Sequence, residues 1–494
     1  MSAVSPRSCT TLLGTFIATV VLSGCAVGPA YRPPAVDMPV SYKGAGSEPA
    51  TAVATRPQPA AEAAAAGWNK AQPDDAASRG AWWERFGDAG LNQLEQRADT
   101  SNQNVQAALA QLRQARAIVD ATHAAFFPTV TAGASAQQFL TSDTVLGRSL
   151  AGRTVPDYAI PVSATWEPDL WNRIGNSEQA ARAGAEASAA DLEGVRLGMQ
   201  AELATDYFNL RGLDAEKRLL DAAIVAYQQA FDMTSNRFNV GIASGSDVAQ
   251  ATLQLETTQA QDIDLGVARA QLEHAIATLI GQPASAFSLA PDNAALVPPP
   301  IPLGLPSQLL QRRPDIAAAE RRMAAANAQV GVAQAAFYPD LMIAATGGLE
   351  SSRLATLFTA PSLFWALGPQ LVGTLFDGGR RSAGVRQARA QYDANVAGYR
   401  QTVLSGIQEV EDDLSSVRLL EQEALKQDQA AQAAEQAEQL ALNRYRTGTA
   451  AYLEVVIEQT AALSSERSQI EIRRRQLQAS VSLVRALGGN WSQT

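Results

Sequence analysis

The sequence predicts a mixed α and β membrane protein in which three chains form a 12-stranded β-barrel, four strands from each chain, continued by a long α-helical coiled-coil barrel. Three observations predict this fold. The 494-residue chain is an internal two-fold repeat. Each repeat holds two short segments in which apolar and polar residues alternate, as in strands with one apolar face. Each repeat also holds two helical segments much longer than the helices of globular domains.

Composition and charge exclude several classes of function. The net charge is −10 and the isoelectric point is about 5.0, so we expect no nucleic-acid partner. His123 and His274 stand apart from other candidate ligands, and the sequence has no GxxxxGK[ST] phosphate loop. We therefore expect no enzyme, no metal site and no cofactor other than a covalent lipid.

Residues 1–24 have the features of a signal peptide. Arg7 provides a positive charge, and residues 12–22 are an apolar run that is too short to span a bilayer. The sequence Leu-Ser-Gly-Cys that ends at Cys25 resembles a bacterial lipobox, whose cysteine is lipidated, palmitate included. An ordinary signal peptide with a chance cysteine is the alternative. Residues 25–80, rich in Pro, Ala and Gly, are predicted to be a lipid-anchored extended tether.

The first repeat covers residues 81–290. Two alternating segments predict strands at about residues 129–140 and 157–170. Apolar residues then recur every three or four positions, which predicts long helices at about residues 175–238 and 247–280. A helix of about 60 residues is roughly 90 Å long, a length typical of coiled-coil packing.

A proline-rich linker, residues 291–306, joins the first repeat to the second, residues 307–491. The same plan of alternating and helical segments then returns. The predicted strands and long helices of the second repeat lie, in order, at about residues 340–350, 363–376, 380–443 and 452–487.

Residues 312–341 read RRPDIAAAERRMAAANAQVGVAQAAFYPDL and predict a helix followed by a strand. The Arg-Arg-Pro-Asp start suits a first helical turn. Pro339 ends the helix because proline cannot donate the backbone hydrogen bond. The same ending occurs in the first repeat, where residues 124–130 parallel residues 335–341.

The turns between the long helices also match between the repeats. Three residues around the first turn correspond to three around the second: Arg237, Phe238 and Gly241 to Arg444, Tyr445 and Gly448. A chance similarity from alanine-rich composition would not keep both strand pairs and both turns in register. The duplication therefore includes strands, helices and turns alike.

One chain supplies only four predicted strands, whereas closed transmembrane barrels need about eight or more. The sequence has no later run of about 18 apolar residues that could form a transmembrane helix. Because open sheet edges are not tolerated in lipid, the strands must be shared between chains. Three copies would supply about twelve strands, which predicts a homotrimer in contact with membrane lipid.

Several of these segments also resemble a known family. The stretch at residues 312–341, the AWWERFGDAGLNQL segment, the two RF/RY…G turns and the ALGGNW ending are similar to outer-membrane efflux proteins, the TolC-like outer-membrane factors. Within that family they resemble the NodT/OprM-type lipoproteins. The resemblance implies an outer-membrane homotrimer that reaches into the periplasm and acts as a passive exit duct, gated at its periplasmic tip.

The resemblance also implies partners and cargo. A periplasmic adaptor (membrane fusion) protein and an inner-membrane RND-type pump would complete a tripartite efflux machine. The cargo would be drugs or other small toxic compounds, which links the chain to multidrug resistance. Two other functions stay open: a duct for type I protein secretion, against which the lipobox and the RRPD motif argue, and a non-channel coiled-coil envelope lipoprotein, which would need no strands.

The resemblance places adaptor contacts at the two tip turns between the long helices. The expected contact residues are Val240, Gly241 and Ile242 in the first tip turn and Thr447, Gly448 and Thr449 in the second. Both glycines suit tight turns at helix ends. The alternative is that these residues serve only as turns.

The resemblance places the gate beside the second tip turn. Tyr445 matches a tyrosine that helps to hold the tip closed in TolC-like members, although the arginine that follows the turn there is Ala450 here. Glu454 and Glu458 lie near positions where family members carry aspartates. Three copies of each would form an acidic ring that favours cations. A solvated helix face explains the two glutamates equally well.

Overall fold

The structure is a computed structural model of the chain. It describes residues 27–33, 42, 80–144, 152–292, 297–300 and 312–489. The predicted signal peptide and lipidated Cys25 lie outside the described residues. So do most of the predicted tether and most of the predicted linker.

The described residues contain seven α-helices and five β-strands. In chain order these are α1 (Ala89–Ser101), α2 (Gln103–His123), β1 (Thr129–Ala132), β2 (Ser135–Leu140), β3 (Thr154–Trp166), α3 (Arg173–Asn239), α4 (Gly245–Leu279), α5 (Pro314–Ala335), β4 (Asp340–Ser351), β5 (Leu363–Val372), α6 (Arg380–Arg446) and α7 (Tyr452–Ala486). The prediction of a mixed α and β chain is confirmed, and the described residues are mostly helical. The same strands argue against a coiled-coil lipoprotein without β structure.

The chain divides into two compact units. The described residues of the first unit lie within 27–33, 112–187 and 319–399, and they include all five strands. The second unit contains residues 188–292 and 400–489 among others, with the turns between the long helices. In the second unit, apolar side chains such as Tyr207, Leu210 and Leu220 are fully buried. Intervals of three and ten residues place these side chains on one face of the helix, which packs against its neighbours.

The strands form one antiparallel sheet in which β3 and β4 are central. β3 pairs with β4 from Tyr158 opposite Ser351 to Trp166 opposite Ile343. β4 pairs with β5 along ten residue pairs. β1 and β2 both pair with the other side of β3. The strands of the two repeats therefore lie side by side in a sheet four strands wide.

The predicted strand at 129–140 is divided into β1 and β2, although its register on β3 does not change. Gly133 lies between them and donates its N–H to the Pro161 carbonyl at 2.9 Å. Pro161 has no N–H to return the second bond of this pair, so the ladder is interrupted there. The alternating pattern predicted the strand but did not show which residue would face a proline.

Two predicted strands end earlier than the sequence suggested, because an aspartate starts the next helix. β3 ends at Trp166, and the Asp169 carboxylate accepts bonds from the N–H groups of Ile174 at 3.0 Å and Gly175 at 2.7 Å. β5 ends at Val372, and Asp377 accepts a bond from Gly379 N–H at 2.9 Å. Carboxylates at helix N-termini satisfy free N–H groups and complement the helix dipole.

The helices that follow are unusually long. α3 and α6 each contain 67 residues, and the returning helices α4 and α7 each contain 35. At 1.5 Å per residue, α3 and α6 are each roughly 100 Å long. Each long helix and its shorter partner are joined by one tight turn.

None of the helices within the described ranges is long and apolar enough to cross a membrane. In the same ranges, no group of three or more His, Cys, Asp or Glu side chains could hold a metal ion.

Candidate functional site

The candidate site comprises the two tip turns, which lie in the second unit. The first tip turn joins α3, which ends at Asn239, to α4, which begins at Gly245. The second joins α6, which ends at Arg446, to α7, which begins at Tyr452. All the predicted adaptor-contact and gate residues lie in or next to these two turns.

Both tip turns have the same backbone geometry. Gly241 and Gly448 adopt left-handed φ angles of 75° and 79°. In the first turn Gly241 N–H bonds to the Phe238 carbonyl at 2.9 Å, and Ile242 N–H bonds to the Arg237 carbonyl at 2.8 Å. The second turn repeats this pattern from Gly448 and Thr449 with distances of 3.0 and 2.9 Å. This pair of bonds is the Schellman motif, which requires a left-handed residue, usually glycine.

The start of the returning helix differs between the two turns. Ser244 caps α4: its hydroxyl accepts the Asp247 N–H at 3.2 Å, and the Asp247 carboxylate accepts the Ser244 N–H at 2.9 Å. The equivalent residue before α7 is Ala451, which has no side-chain cap. Glu454, the counterpart of Asp247, instead forms an ion pair with Arg444 across the turn.

Tyr445 is buried inside the chain. Its side chain is 6% exposed and packs in an apolar cluster whose buried members are Ala230, Ala251, Tyr445, Tyr452 and Val455. The Tyr445 and Tyr452 rings lie edge to face, with centroids 5.2 Å apart. Burial raises the pKa of Tyr452 to about 12, so its hydroxyl stays protonated at neutral pH. The cluster joins helices from both repeats.

Arg237 connects the two tip turns through Tyr445. Its guanidinium donates a bond from Nη1 to the Tyr445 carbonyl at 2.9 Å and lies 4.6 Å from the centre of the Tyr445 ring. The Tyr445 hydroxyl also lies 3.3 Å from Thr234 Oγ1 on α3. A cation at the C-terminal end of a helix interacts favourably with the helix dipole, and a cation over an aromatic face gains a cation–π interaction. We call this contact between Arg237 and Tyr445 the tip latch.

The predicted adaptor-contact residues differ in character between the turns. Val240 and Ile242 are 69% and 68% exposed, so the first tip turn presents an apolar surface. Thr447 and Thr449 are also exposed, but their hydroxyls donate to main-chain carbonyls of α6, at 3.0 Å from Thr447 and 3.1 Å from Thr449 to the Arg444 oxygen. The second tip turn is therefore polar and satisfied by its own hydrogen bonds.

Glu454 and Glu458 are one helical turn apart on α7 and are both half-exposed. The ion pair with Arg444 compensates the charge of Glu454. Within the described residues, no ion pair is found for Glu458. Of the two predicted gate acids, Glu458 is thus the one for which the described part of the chain offers no ion-pair partner.

A second group of acids lies farther along the same helices. Burial raises the pKa of Glu438, a hydrogen bond from Gln459 opposes this shift, and the Glu466 and Glu435 carboxylates add to it. Burial and Glu435 likewise raise the pKa of Glu466. The sequence pattern did not single out these residues, because charges on long helices are usually solvated.

Sequence reasoning also missed the role of Arg237. It marked Arg237 only as the repeat counterpart of Arg444, and nothing in the local sequence distinguishes the two arginines. The difference lies in the packing of the residue that follows: Tyr445 after Arg444 is buried, whereas Phe238 after Arg237 is 48% exposed.

The sequence profile of the outer membrane efflux protein family matches residues 94–282 and 305–489. Among similar proteins, the pyoverdine export outer membrane protein OpmQ of Pseudomonas putida is 32% identical over 420 residues, which cover 83% of this chain and 88% of OpmQ. The toluene efflux pump outer membrane protein TtgC of Pseudomonas putida is 29% identical over 486 residues, which cover 97% of this chain and 96% of TtgC.

A solved structure is also similar. The outer-membrane channel OprN superimposes with a TM-score of 0.83 at 29% identity, and the match covers 94% of this chain and 100% of the OprN chain.

Proposed function

The chain belongs to the outer membrane efflux protein family, and from this premise we propose that three copies assemble into the exit duct of a tripartite efflux pump. As a family member it is an outer-membrane channel component of an efflux system. The proposal adds the trimer, the twelve-stranded barrel, the lipid on Cys25, the adaptor, the RND-type pump and the gate at the tip turns.

The observation that carries the proposal is the sheet with two edges. Within the described residues, β1 and β2 pair only with β3, and β5 pairs only with β4. Unpaired edge groups are costly in lipid, so a sheet that enters the outer membrane must meet further strands. Three copies of a sheet four strands wide give twelve strands, a size within the range of outer-membrane barrels.

Strand length and surface support the same conclusion. β3, β4 and β5 contain 13, 12 and 10 residues, and a tilted strand needs about 9–11 residues to cross the hydrocarbon core. Along β5, Leu363, Trp365, Leu367 and Leu371 are between 65% and 77% exposed. A row of large apolar side chains on one face of a strand suits contact with lipid.

The names of the relatives support small molecules as cargo. OpmQ is named for pyoverdine export and TtgC for toluene efflux. We propose a small toxic compound, such as a drug or solvent, as the cargo of this chain, passing through a passive duct. The energy and the choice of compound come from the inner-membrane pump, and the adaptor contacts Val240 and Ile242 at the exposed apolar tip.

The tip latch supports a gate at this end. Tyr445 and Arg237 hold the two helix hairpins of one chain together, and we propose that widening of the tip separates or shifts that contact. Glu458 from three copies would place three negative charges around the opening. Such a ring favours cations over anions.

The proposal is tested by conductance of the purified lipoprotein in a planar bilayer. We expect a trimer by native mass spectrometry and a cation-preferring pore with low resting conductance. Glu458→Gln should reduce the cation preference measured from reversal potentials, whereas Glu454→Gln should change it less because Arg444 already pairs with Glu454. A monomer without conductance would refute the duct. If both variants keep the cation preference of the parent, the acidic ring is refuted.

A further inference from the structure

Residues 27–33, called the strap, are bound to the body of the first unit by polar contacts to their backbone. Val27 N–H donates to the Trp171 carbonyl at 3.4 Å. The Asn176 side-chain amide donates to the Val27 carbonyl at 2.8 Å, and the Asn327 amide donates to the Pro29 carbonyl at 2.9 Å. This part of the predicted tether is therefore docked rather than free.

One face of α5 supplies most of the binding surface. Glu320, Asn327 and Gly331 are spaced by seven and four residues, so they lie along the same side of the helix. The Tyr31 hydroxyl donates to the Glu320 carboxylate, and burial together with that carboxylate raises the pKa of Tyr31. These residues belong to the Ala-rich stretch at residues 312–341.

The strap and α5 approach each other through two glycines. Gly28 has a φ angle of 144°, and a Cβ placed on it would lie 3.1 Å from Gly331 Cα. A Cβ placed on Gly331 would lie 2.5 Å from the Asn176 amide nitrogen. A side chain at either position would therefore displace the strap or the asparagine that holds it.

The start of the strap is bonded to the main chain of Trp171, whose side chain is itself held by two contacts. The Trp171 ring stacks on Tyr338 with centroids 4.7 Å apart and donates its Nε1–H to the Pro339 carbonyl at 2.8 Å. Pro339 directly precedes β4. Val27, bonded to the Trp171 carbonyl, is thus fixed beside the end of a central strand.

We propose that Asn176, Asn327 and Glu320 form a dock that positions the lipid anchor by binding the strap. The inference rests on the proposed lipid at Cys25, which is two peptide units, or about 7 Å of chain, from Val27. With the strap docked, the acyl chains enter the membrane next to the end of the sheet that must insert there.

Without the dock, the lipid would restrain the protein only loosely. The next described residue is Tyr42, which is buried, and a free chain of about 17 residues from Cys25 to Tyr42 has an end-to-end distance of roughly 20–25 Å. Docking replaces that range with a fixed position and so raises the effective concentration of the strands at the membrane surface. The dock is therefore a device for assembly as well as for anchoring.

Docking is tested in the full-length lipidated protein with a nitroxide attached to a cysteine. The cysteine is introduced by Ala30→Cys, at an exposed position of the strap. We expect the nitroxide to be immobilised in the parent and in Gln329→Ala, an exposed control on α5 outside the dock. It should become mobile in the double variant Asn176→Ala, Asn327→Ala. Gly28→Leu changes the strap alone and leaves the folded body intact, so it should release the nitroxide too. A mobile nitroxide in the parent overturns docking. So does a nitroxide that stays immobilised in both the double variant and Gly28→Leu.

The positioning role is tested by the rate at which each variant forms trimers in vesicles of outer-membrane phospholipid. Released straps should slow trimer formation roughly tenfold, the scale on which effective concentration falls when a short restraint is lost. An unchanged rate with a mobile nitroxide refutes the positioning role. Mass spectrometry of the N-terminal peptide separates the two proposals, because an unmodified Cys25 refutes the lipid anchor while the nitroxide result still reports on the dock.

Discussion

The two tip turns share one backbone and differ in what holds them. Each ends its long helix with the same glycine motif. The first is stabilised locally by the Ser244 and Asp247 cap, and its Phe238 is half-exposed. The second has no cap on Ala451, and its Tyr445, the counterpart of Phe238, is buried against α3 and α7.

The difference shows how a duplicated element can acquire two roles. Backbone geometry is fixed by the glycine and the helix ends, so it survives duplication. The side chains around it are free to diverge, and here they place the apolar exposed surface at the first tip turn and the contact between repeats at the second. We expect side-chain substitutions in the first tip turn to lower the free energy of local opening less than those in the second.

The largest expected effect comes from Tyr445→Ala. It removes a buried aromatic ring, its hydrogen bond with Thr234 and its stacking with Arg237. We expect the free energy of local opening at the second tip turn to fall by about 3 kcal/mol, the lower end for loss of a buried aromatic ring. Hydrogen exchange of the Gly448 and Thr449 amides measures it, as a loss of protection of about a hundredfold.

Phe238→Ala is the matched control for Tyr445→Ala, because it occupies the same place in the other repeat. Since the Phe238 side chain is already 48% exposed, we expect its loss to change protection of the Gly241 and Ile242 amides by less than about 1 kcal/mol. Equal losses in the two variants would contradict the assignment of Tyr445 as the contact between repeats.

The second prediction compares the two equivalent arginines. Arg237→Ala removes a charged hydrogen bond to the Tyr445 carbonyl and a cation–π contact, which together contribute about 2 kcal/mol. Arg444→Ala removes only a pair with Glu454 in which the arginine side chain is 56% exposed, so its effect should be at most about 1 kcal/mol. Exchange of the Thr449 amide in each variant ranks them, and a larger effect for Arg444 would refute the tip latch.

Salt should affect the two arginine contacts differently. The exposed pair of Arg444 and Glu454 should weaken as ionic strength rises, because surface charges are screened over about 10 Å at 0.1 M salt. The partly buried tip latch should respond less. If 0.5 M NaCl lowers tip protection as strongly as Arg237→Ala does, the surface pair and not the latch is the main restraint.

The backbone of the tip turns followed from the sequence, whereas the side-chain contacts did not. A glycine after a long helical pattern has a local physical meaning, so Gly241 and Gly448 marked both turns correctly. The contact of Arg237 with Tyr445 joins residues more than two hundred positions apart. In both repeats an arginine is followed directly by an aromatic residue, so the local sequence is of the same kind in the two turns. Only tertiary packing decides which aromatic ring is buried.

The sheet shows the same limit. Alternation predicted where strands lie, and the fold of the chain is similar to that of the solved channel OprN. It did not predict the interruption at Gly133, because that depends on which residue of β3 lies opposite. Nor did a proline- and alanine-rich composition reveal that residues 27–33 are bound, since the bonds use main-chain carbonyls that any sequence provides.

The third prediction tests whether the two backbones are equivalent. Gly241→Ala and Gly448→Ala each place a side chain at a left-handed φ angle, and in both cases the new Cβ meets no atom within 4 Å. The effect is therefore backbone strain alone, about 1 kcal/mol in each turn. The protection of the amides against hydrogen exchange should fall by the same factor in both turns. A difference of more than about fivefold between the turns would contradict equal geometry.

The smallest expected effect concerns the caps, where the two turns should respond in opposite directions. Ser244→Ala removes the hydroxyl that accepts the Asp247 N–H and should destabilise the first turn of α4 by about 1 kcal/mol. Ala451→Ser supplies the missing acceptor before α7 and should stabilise its first turn by a similar or smaller amount. Protection of the Asp247 and Glu454 amides reports each change. If Ala451→Ser has no effect, the pair of Arg444 and Glu454 already holds that helix start, and the second tip turn has replaced its cap rather than merely lost it.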